Sequence, residues 1–377
     1  MVAADTRGFD MRHSSVCLLY AISVILFAAS AFAEPTVSAF LYNPKADKMV
    51  LKYPYDKPTE TKSIKPMLSL VGRDLPNGSF TLAYRIEADS KMLDEGTAGI
   101  RIENGWFESG IELKQNHPNA KGVSWELSRP NAASIKGYAP LSWSHFRGRV
   151  KYADGHWDPT YINLMPVKWG SPGEVIIPVA KDGTFDAMVP ARVYGVMYVV
   201  GTGYCYDSFE RWGWDFDLTK DREEVFTVGR TELYGMQAFE IKGGPPMLLI
   251  LFRPSALSRV LKFDADKDGT VSKSEQQAMM SAMKDSPTVL GPELKAENVK
   301  VWLDAKPARI IQFNQIPEAI GDGSYQVLYL LQIPTGQPSG LQRGVWHEIK
   351  LEVESQEELR GKKIRDFGEG SVGYFRP

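Results

Sequence analysis

Cysteine is almost missing from this chain. Of two in 377 residues, Cys17 falls in an N-terminal apolar run and Cys205 sits between Tyr204 and Tyr206. A chain without its first 33 residues would keep one thiol and could close no internal disulfide. Its domains must therefore be large enough to stand on their own cores, and Cys205 reads as a small buried apolar residue rather than a catalytic thiol. Charge of either sign is also lacking in surplus, with 44 basic against 46 acidic residues. Removing residues 1–33 takes Arg7, Arg12, Asp5 and Asp10 and leaves the net charge at -2. Nucleic acid is therefore not an expected partner. The five histidines lack the short, regular spacing of a zinc motif. After residue 33 no stretch is long and apolar enough to span a bilayer, since Met247–Phe252 (MLLILF) is only strand-sized. No nucleophile elbow, P-loop or dinucleotide fingerprint occurs, and Gly201-Thr202-Gly203 reads as a turn.

The N-terminus carries a targeting pattern. Val16–Ala33 is apolar, follows Arg12 and His13, and ends in Ala31-Phe32-Ala33 before Glu34-Pro35. A basic start, a short apolar middle and a small-x-small ending predict a secretory signal cleaved after Ala33, with Met11 a plausible start. The mature protein is expected in a periplasm or outside the cell, with no transmembrane segment.

With 43% hydrophobic and 24% charged residues, the chain can bury ordinary cores. Phe80–Glu87 (FTLAYRIE) alternates apolar and polar, and Asn77-Gly78 and Glu103-Asn104-Gly105 are turn signals. Further strands are predicted at 122–127, 174–180, 193–200, 237–242, 299–304, 308–314, 325–333 and 346–354. The pattern predicts a mainly β protein with serial β-sandwich domains and a small helix-loop-helix insert. The expected units are a signal peptide (1–33), an N-terminal sandwich (34–140) and a middle sandwich (141–253). The insert (254–290), an immunoglobulin-like β region (291–354) and a charged surface tail or edge extension (355–377) follow.

In the middle unit, Gly148-Arg149-Val150 opens a strand and Asp182-Gly183-Thr184-Phe185 makes a tight hairpin. Val189-Pro190-Ala191-Arg192-Val193-Tyr194 then leads into an apolar strand. Over about sixty residues this order resembles the carboxypeptidase regulatory-like domain, a prealbumin-type β-sandwich. That resemblance implies a scaffold or binding module rather than a catalyst. An unrelated sandwich with a D-G hairpin fits the same residues.

Asp264–Glu275 (DADKDGTVSKSE) carries the sharpest signal. A calcium ion needs six to eight oxygens, and a twelve-residue loop supplies them at fixed offsets. Asp264, Asp266 and Asp268 fill positions 1, 3 and 5, and Gly269 at position 6 permits the sharp bend. Thr270 offers its carbonyl at position 7, Ser272 reaches the ion directly or through water, and Glu275 closes the site. Val271 supplies the apolar residue at position 8. The loop resembles that of the EF-hand family at every position, which implies bound Ca2+. Pro254–Phe263, with Leu257, Val260 and Leu261 on one face, and Ser274–Met283, with Ala278, Met279 and Met283, predict the flanking helices. A second hand is absent, because Asp215–Phe226 has Lys220 in place of the glycine and Phe226 in place of the closing glutamate. A single hand between β-domains implies a structural ion, with Met279, Met280 and Met283 serving as core.

Tyr204–Asp217 (YCYDSFERWGWDFD) interleaves aromatic and acidic residues. Aromatic faces stack on sugars, and paired carboxylates can cleave glycosidic bonds. Tyr204, Tyr206, Glu210, Trp212, Trp214 and Asp215 are thus candidate ligand-binding residues for a polysaccharide. Alternatively the aromatics cover a sheet edge and the acids neighbour Arg211 and Lys220. Trp143, His145, His156 and Trp157 form a second polar-aromatic candidate. Two functions follow: a non-catalytic exported β protein that binds calcium, with a surface or carbohydrate-binding role, or a carbohydrate-active enzyme or its accessory domain.

Overall fold

The computed structural model describes residues 35–44, 48–51, 60–89, 91–167, 173–241, 243–269, 271–335 and 341–377. The signal-peptide prediction (1–33) lies outside them, as does Thr270. Among the described residues no helix is long and apolar enough to cross a membrane.

The chain is mainly β. Its first sandwich comprises β1 (Thr36–Tyr42), β2 (Lys48–Leu51), β3 (Glu60–Ser63), β4 (Met67–Arg73) and β5 (Gly78–Ala88). It continues with β6 (Lys91–Ile102), β7 (Phe107–Glu112), β8 (Gly122–Ser128) and β9 (Ile135–Pro140). One sheet runs β1-β4-β7, the other β6-β5-β8-β9, and β2 pairs with β3. Alternation in β5 buries Phe80, Leu82, Tyr84 and Ile86 against Leu68, Leu70 and Phe107 of the facing sheet. At the Glu103-Asn104-Gly105 corner, Asn104 and Gly105 both take positive φ (52° and 74°), which the Asn-Gly pair accommodates. Glu103 and Trp106 exchange backbone hydrogen bonds of 3.1 and 3.0 Å around it.

The second sandwich uses β10 (Trp143–Tyr152), β11 (Thr160–Met165), β12 (Val175–Pro178) and β13 (Thr184–Pro190). It is completed by β14 (Val193–Gly201), β15 (Arg211–Asp217) and β16 (Arg222–Val228). Sheet β13-β10-β16 faces β12-β11-β14-β15 across a core of Phe146, Phe185, Tyr194, Phe216 and Phe226. The Asp182-Gly183 turn forms between β12 and β13, with Asp182 accepting from the Thr184 amide at 3.0 Å. Gly148 sits within β10 rather than opening it, and a Cβ there would lie 1.9 Å from the Glu224 carbonyl of β16.

The last sandwich contains β17 (Thr231–Glu240), β18 (Met247–Ala256), β19 (Val299–Leu303) and β20 (Lys306–Ala308). To these it adds β21 (Gln312–Gly321), β22 (Ser324–Pro334), β23 (Trp346–Leu359) and β24 (Lys362–Phe375). Sheet β17-β18-β22-β21 packs on β24-β23-β19-β20 around Phe252, Tyr329, Leu331 and Leu351. Thus β17 and most of β18, placed in the middle unit by the sequence, pair within the C-terminal one.

Residues 355–377 correct the expectation of a surface tail. They complete the long β23–β24 hairpin, and β24 pairs in parallel with β15, Trp212 opposite Gly370 and Trp214 opposite Val372. This contact joins the second and third sandwiches into one sheet, ordered β12-β11-β14-β15-β24-β23-β19-β20. Three acidic residues of the segment are internal: Glu357, Asp366 and Glu369 are buried, the last two at 0% and 1% exposure, while Glu358, Arg360, Lys362, Lys363 and Arg365 stay exposed. Its glycines allow backbones to approach, since a Cβ on Gly373 would lie 2.1 Å from the Asp215 carbonyl and one on Gly368 2.3 Å from that of Thr231.

The insert also differs from expectation at its start. Pro254 belongs to β18, opposite Leu233, and only α1 (Leu257–Val260) is helical before the loop. Pairing of β18 with β22 stops at Phe252, so Pro254 lacks a ladder partner on that side and its missing N–H is tolerated there. After the loop comes α2 (Lys273–Asp285).

Candidate metal centre and a buried carboxyl pair

The acidic loop is suspended between α1 and α2. Ser272 caps α2 in a capping box: its hydroxyl accepts from the Glu275 amide, and the Glu275 carboxylate accepts from the Ser272 amide at 2.8 Å. Gly269 has φ +91°, as the bend after three aspartates requires. Asp264, Asp266 and Asp268 converge, each offering an oxygen within 4.8 Å of the others. Asp264 is the anchor, buried while the other two are exposed. Its Oδ2 accepts from the Gly269 amide at 3.0 Å and its Oδ1 from the Asp268 amide at 3.1 Å.

Charge is managed unevenly. Burial pushes the Asp264 carboxyl up, but hydrogen bonds from the Arg360 guanidinium and the Gly269 amide outweigh it and hold the group below the usual range. Glu275 is also lowered, by the Ser272 hydroxyl and by the Ala265 and Ser272 amides. Asp266 is raised: the Asp268 amide stabilises its anion, but desolvation and the Asp268 and Glu275 carboxylates outweigh that. An all-oxygen donor set that is partly buried suits a hard ion such as calcium.

The loop is fastened below by an apolar cluster. Val271 (position 8) packs with Leu257, Val260, Leu261, Cys205 and Phe209, flanked by Met279 and Leu359. Met283 is buried, whereas Met280 is 39% exposed and Ala278 is exposed, so the predicted face of α2 narrows to Met279 and Met283. Ion pairs hold the other flank. Arg259 and Lys262 both reach the buried Glu357 of β23 at 3.0 and 3.6 Å. Asp366 of β24 accepts from the Ser258 amide at 3.1 Å and from Arg230 at 2.9 Å.

The aromatic segment 204–217 folds inward. Trp212 is 4% exposed and stacks on Trp214, with Tyr234 edge-on to both at 5.3 Å and Tyr198 at 5.2 Å from Trp212. Tyr204 packs on Phe209, Tyr206 is half-buried, and Asp215 is exposed with φ 47°. The structure therefore brings Tyr204, Glu210, Trp212 and Trp214 together and leaves Asp215 outside. Glu210, 7% exposed, hydrogen-bonds to Glu232 of β17 and to Tyr204, and the Trp212 indole N–H approaches Glu232 at 3.5 Å. Desolvation and the facing Glu232 push Glu210 well up, and desolvation likewise raises Glu232. Arg211 belongs to a separate pair, 3.1 Å from Glu369. Sequence reasoning missed Glu232 and Arg360, neither of which lies near a motif.

Trp143 and His145 stand at the start of β10 and His156 and Trp157 beyond its end. An extended strand rises about 3.3 Å per residue, so roughly 20 Å or more separates the two histidines. His145 pairs with Asp186 at 3.0 Å, and His156 lies between Asp154 and Asp158.

No family model matches the chain, and no curated protein matches it. A DUF3823 family protein from Parabacteroides merdae is similar to it at 10% identity, over 61% of this chain and 98% of that one, with a TM-score of 0.18. A marsupial T cell receptor matches at 8% identity over 88% of this chain and 98% of that one, with a TM-score of 0.13. Dimeric latent PorU from Porphyromonas gingivalis matches at 10% identity over 90% of this chain and 24% of that one, with a TM-score of 0.15. Likenesses at these scores carry no conclusion about fold or function.

Proposed function

We propose that this chain is an exported, non-catalytic β protein in which a calcium ion stiffens the insert between its sandwiches. Asp264, Asp266, Asp268, Ser272, Glu275 and the Thr270 carbonyl would hold the ion. The carrying observation is the convergence of the Asp264, Asp266 and Asp268 carboxylates on one buried anchor, above an apolar cluster. When bound, calcium would neutralise repulsion among four carboxylates, and the protein's own residues orient them through the loop amides and the capping box. A structural role fits the docking of the segment on β23 and β24 through Glu357 and Asp366. Isothermal titration of the purified protein with calcium should show one binding event, lost in Asp264→Ala. A wild-type protein silent at millimolar calcium would refute the reading.

A second reading, a carbohydrate-active site for a polysaccharide or cell-surface glycan, is favoured by one observation: the Glu210–Glu232 pair sits among tyrosines and tryptophans. Screening on a polysaccharide array beside Trp212→Ala and Glu210→Gln tests it. Reducing-sugar release lost in Glu210→Gln would favour the enzyme. Binding lost in Trp212→Ala without turnover would favour a binding module.

A further inference from the structure

Arg360 stands at the tip of the β23–β24 hairpin, and its guanidinium reaches Asp264 Oδ2 at 2.5 Å. The pair is 96 residues apart in sequence, with the Asp264 side chain fully buried and that of Arg360 38% exposed. The tip itself is a two-residue turn in which Arg360 (φ 53°) and Gly361 (φ 74°) are both left-handed. Such turns favour Asn, Asp or Gly at the first position, because a longer side chain with a Cβ is strained there. An arginine is thus held in an unfavourable backbone conformation at the one place where its guanidinium meets the first carboxylate of the loop. Leu359, beside it, packs into the apolar cluster under Val271, which fixes the tip against the loop.

We propose that Arg360 is a resident counter-cation of the calcium loop, neutralising Asp264 in the metal-free protein and thereby lowering the loop's affinity for calcium. The inference rests on the calcium reading above. Without the arginine, the metal-free loop would bury the Asp264 carboxylate with only amide donors, while a bound ion would still neutralise it. The metal-free state therefore loses more than the loaded state when Arg360 is removed. The loaded state also sheds repulsion between the guanidinium and the ion. Both effects act in the same direction. A weakened site suits a protein outside the cytoplasm, where calcium is plentiful and a millimolar affinity is enough.

The test is calcium titration by calorimetry on wild type, Arg360→Asn and Arg360→Lys, with thermal melts in chelator and in saturating calcium. Asparagine suits the turn, so Arg360→Asn removes the cation without disturbing the hairpin, and lysine restores a positive charge. The expected result is calcium binding about tenfold tighter in Arg360→Asn, within the usual range of coupling between sites. The chelator melt should fall more than the calcium melt, and Arg360→Lys should behave as wild type. Equal affinity in all three proteins, with equal loss of stability in both melts, would make Arg360 a docking contact only and overturn the inference while leaving the calcium site standing. Binding by none of the three would overturn the calcium reading and the inference with it. Binding by Arg360→Asn alone would support the inference in its strongest form.

Discussion

Arg211 and Glu369 lie 158 residues apart and form a 3.1 Å ion pair with both side chains buried, on the adjoining strands β15 and β24. Lys350 of β23 adds a second cation at 2.9 Å from the same carboxylate. The pair is set where the second and third sandwiches share a sheet. Removing one partner would leave the other charge buried, at a cost of about 3–5 kcal/mol. Glu369→Ala should therefore lower stability in chemical denaturation by about that amount. A loss under about 1 kcal/mol would show the seam does not depend on this pair.

The same seam predicts a steric effect. A Cβ on Gly373 would stand 2.1 Å from the Asp215 carbonyl, backbone that has no rotamer to move. Gly373→Ala should destabilise the protein by about 1–3 kcal/mol, as overpacking does. Gly361→Asn, in open space at φ 74° at the hairpin tip, should cost much less. Urea midpoints of the two variants provide the comparison.

The Glu210–Glu232 pair predicts a pH dependence. Both carboxyls have folded values raised above the ordinary glutamate range, by desolvation first and, for Glu210, by the facing carboxylate. Folding therefore favours the protonated forms. Their contribution is fully present below the unfolded value and is lost as pH rises through the folded ones. The slope is at most about 1.4 kcal/mol per pH unit for each proton released. Glu210→Gln keeps a hydrogen-bonding group without the charge. Its melting temperature should fall less than that of wild type between pH 5 and pH 9; parallel curves would contradict the assignment.

Local chemistry was legible in the sequence, and long-range chemistry was not. The convergence of Asp264, Asp266 and Asp268 could be read because all three lie within one short stretch of chain, and β5 because its alternation is a property of one strand. Leu257, Val260 and Leu261 do share an apolar face, but the strand ladder claims Pro254 and Ala256, leaving the first helix one turn long. Residues 355–377 misled because glycine marks both loops and close backbone approach. Nothing in a linear pattern distinguishes the two, and charges destined for buried pairs look like solvated ones. Glu232 and Arg360 meet their partners only through tertiary structure. The tryptophans of 204–217, read as a sugar platform or an edge cover, pack mainly on each other and on Tyr198 and Tyr234.

The proposed structural role of calcium is most directly tested by thermal unfolding of the wild-type protein and Glu275→Gln in chelator and in calcium. An ion bound only to the folded state stabilises it by about 2.7 kcal/mol at a hundredfold excess over the dissociation constant. The wild-type melting temperature should rise with calcium concentration while that of Glu275→Gln, deprived of its closing carboxylate, should respond weakly or not at all. A wild-type melting temperature that is the same in chelator and in ten-millimolar calcium would contradict a structural calcium in this fold.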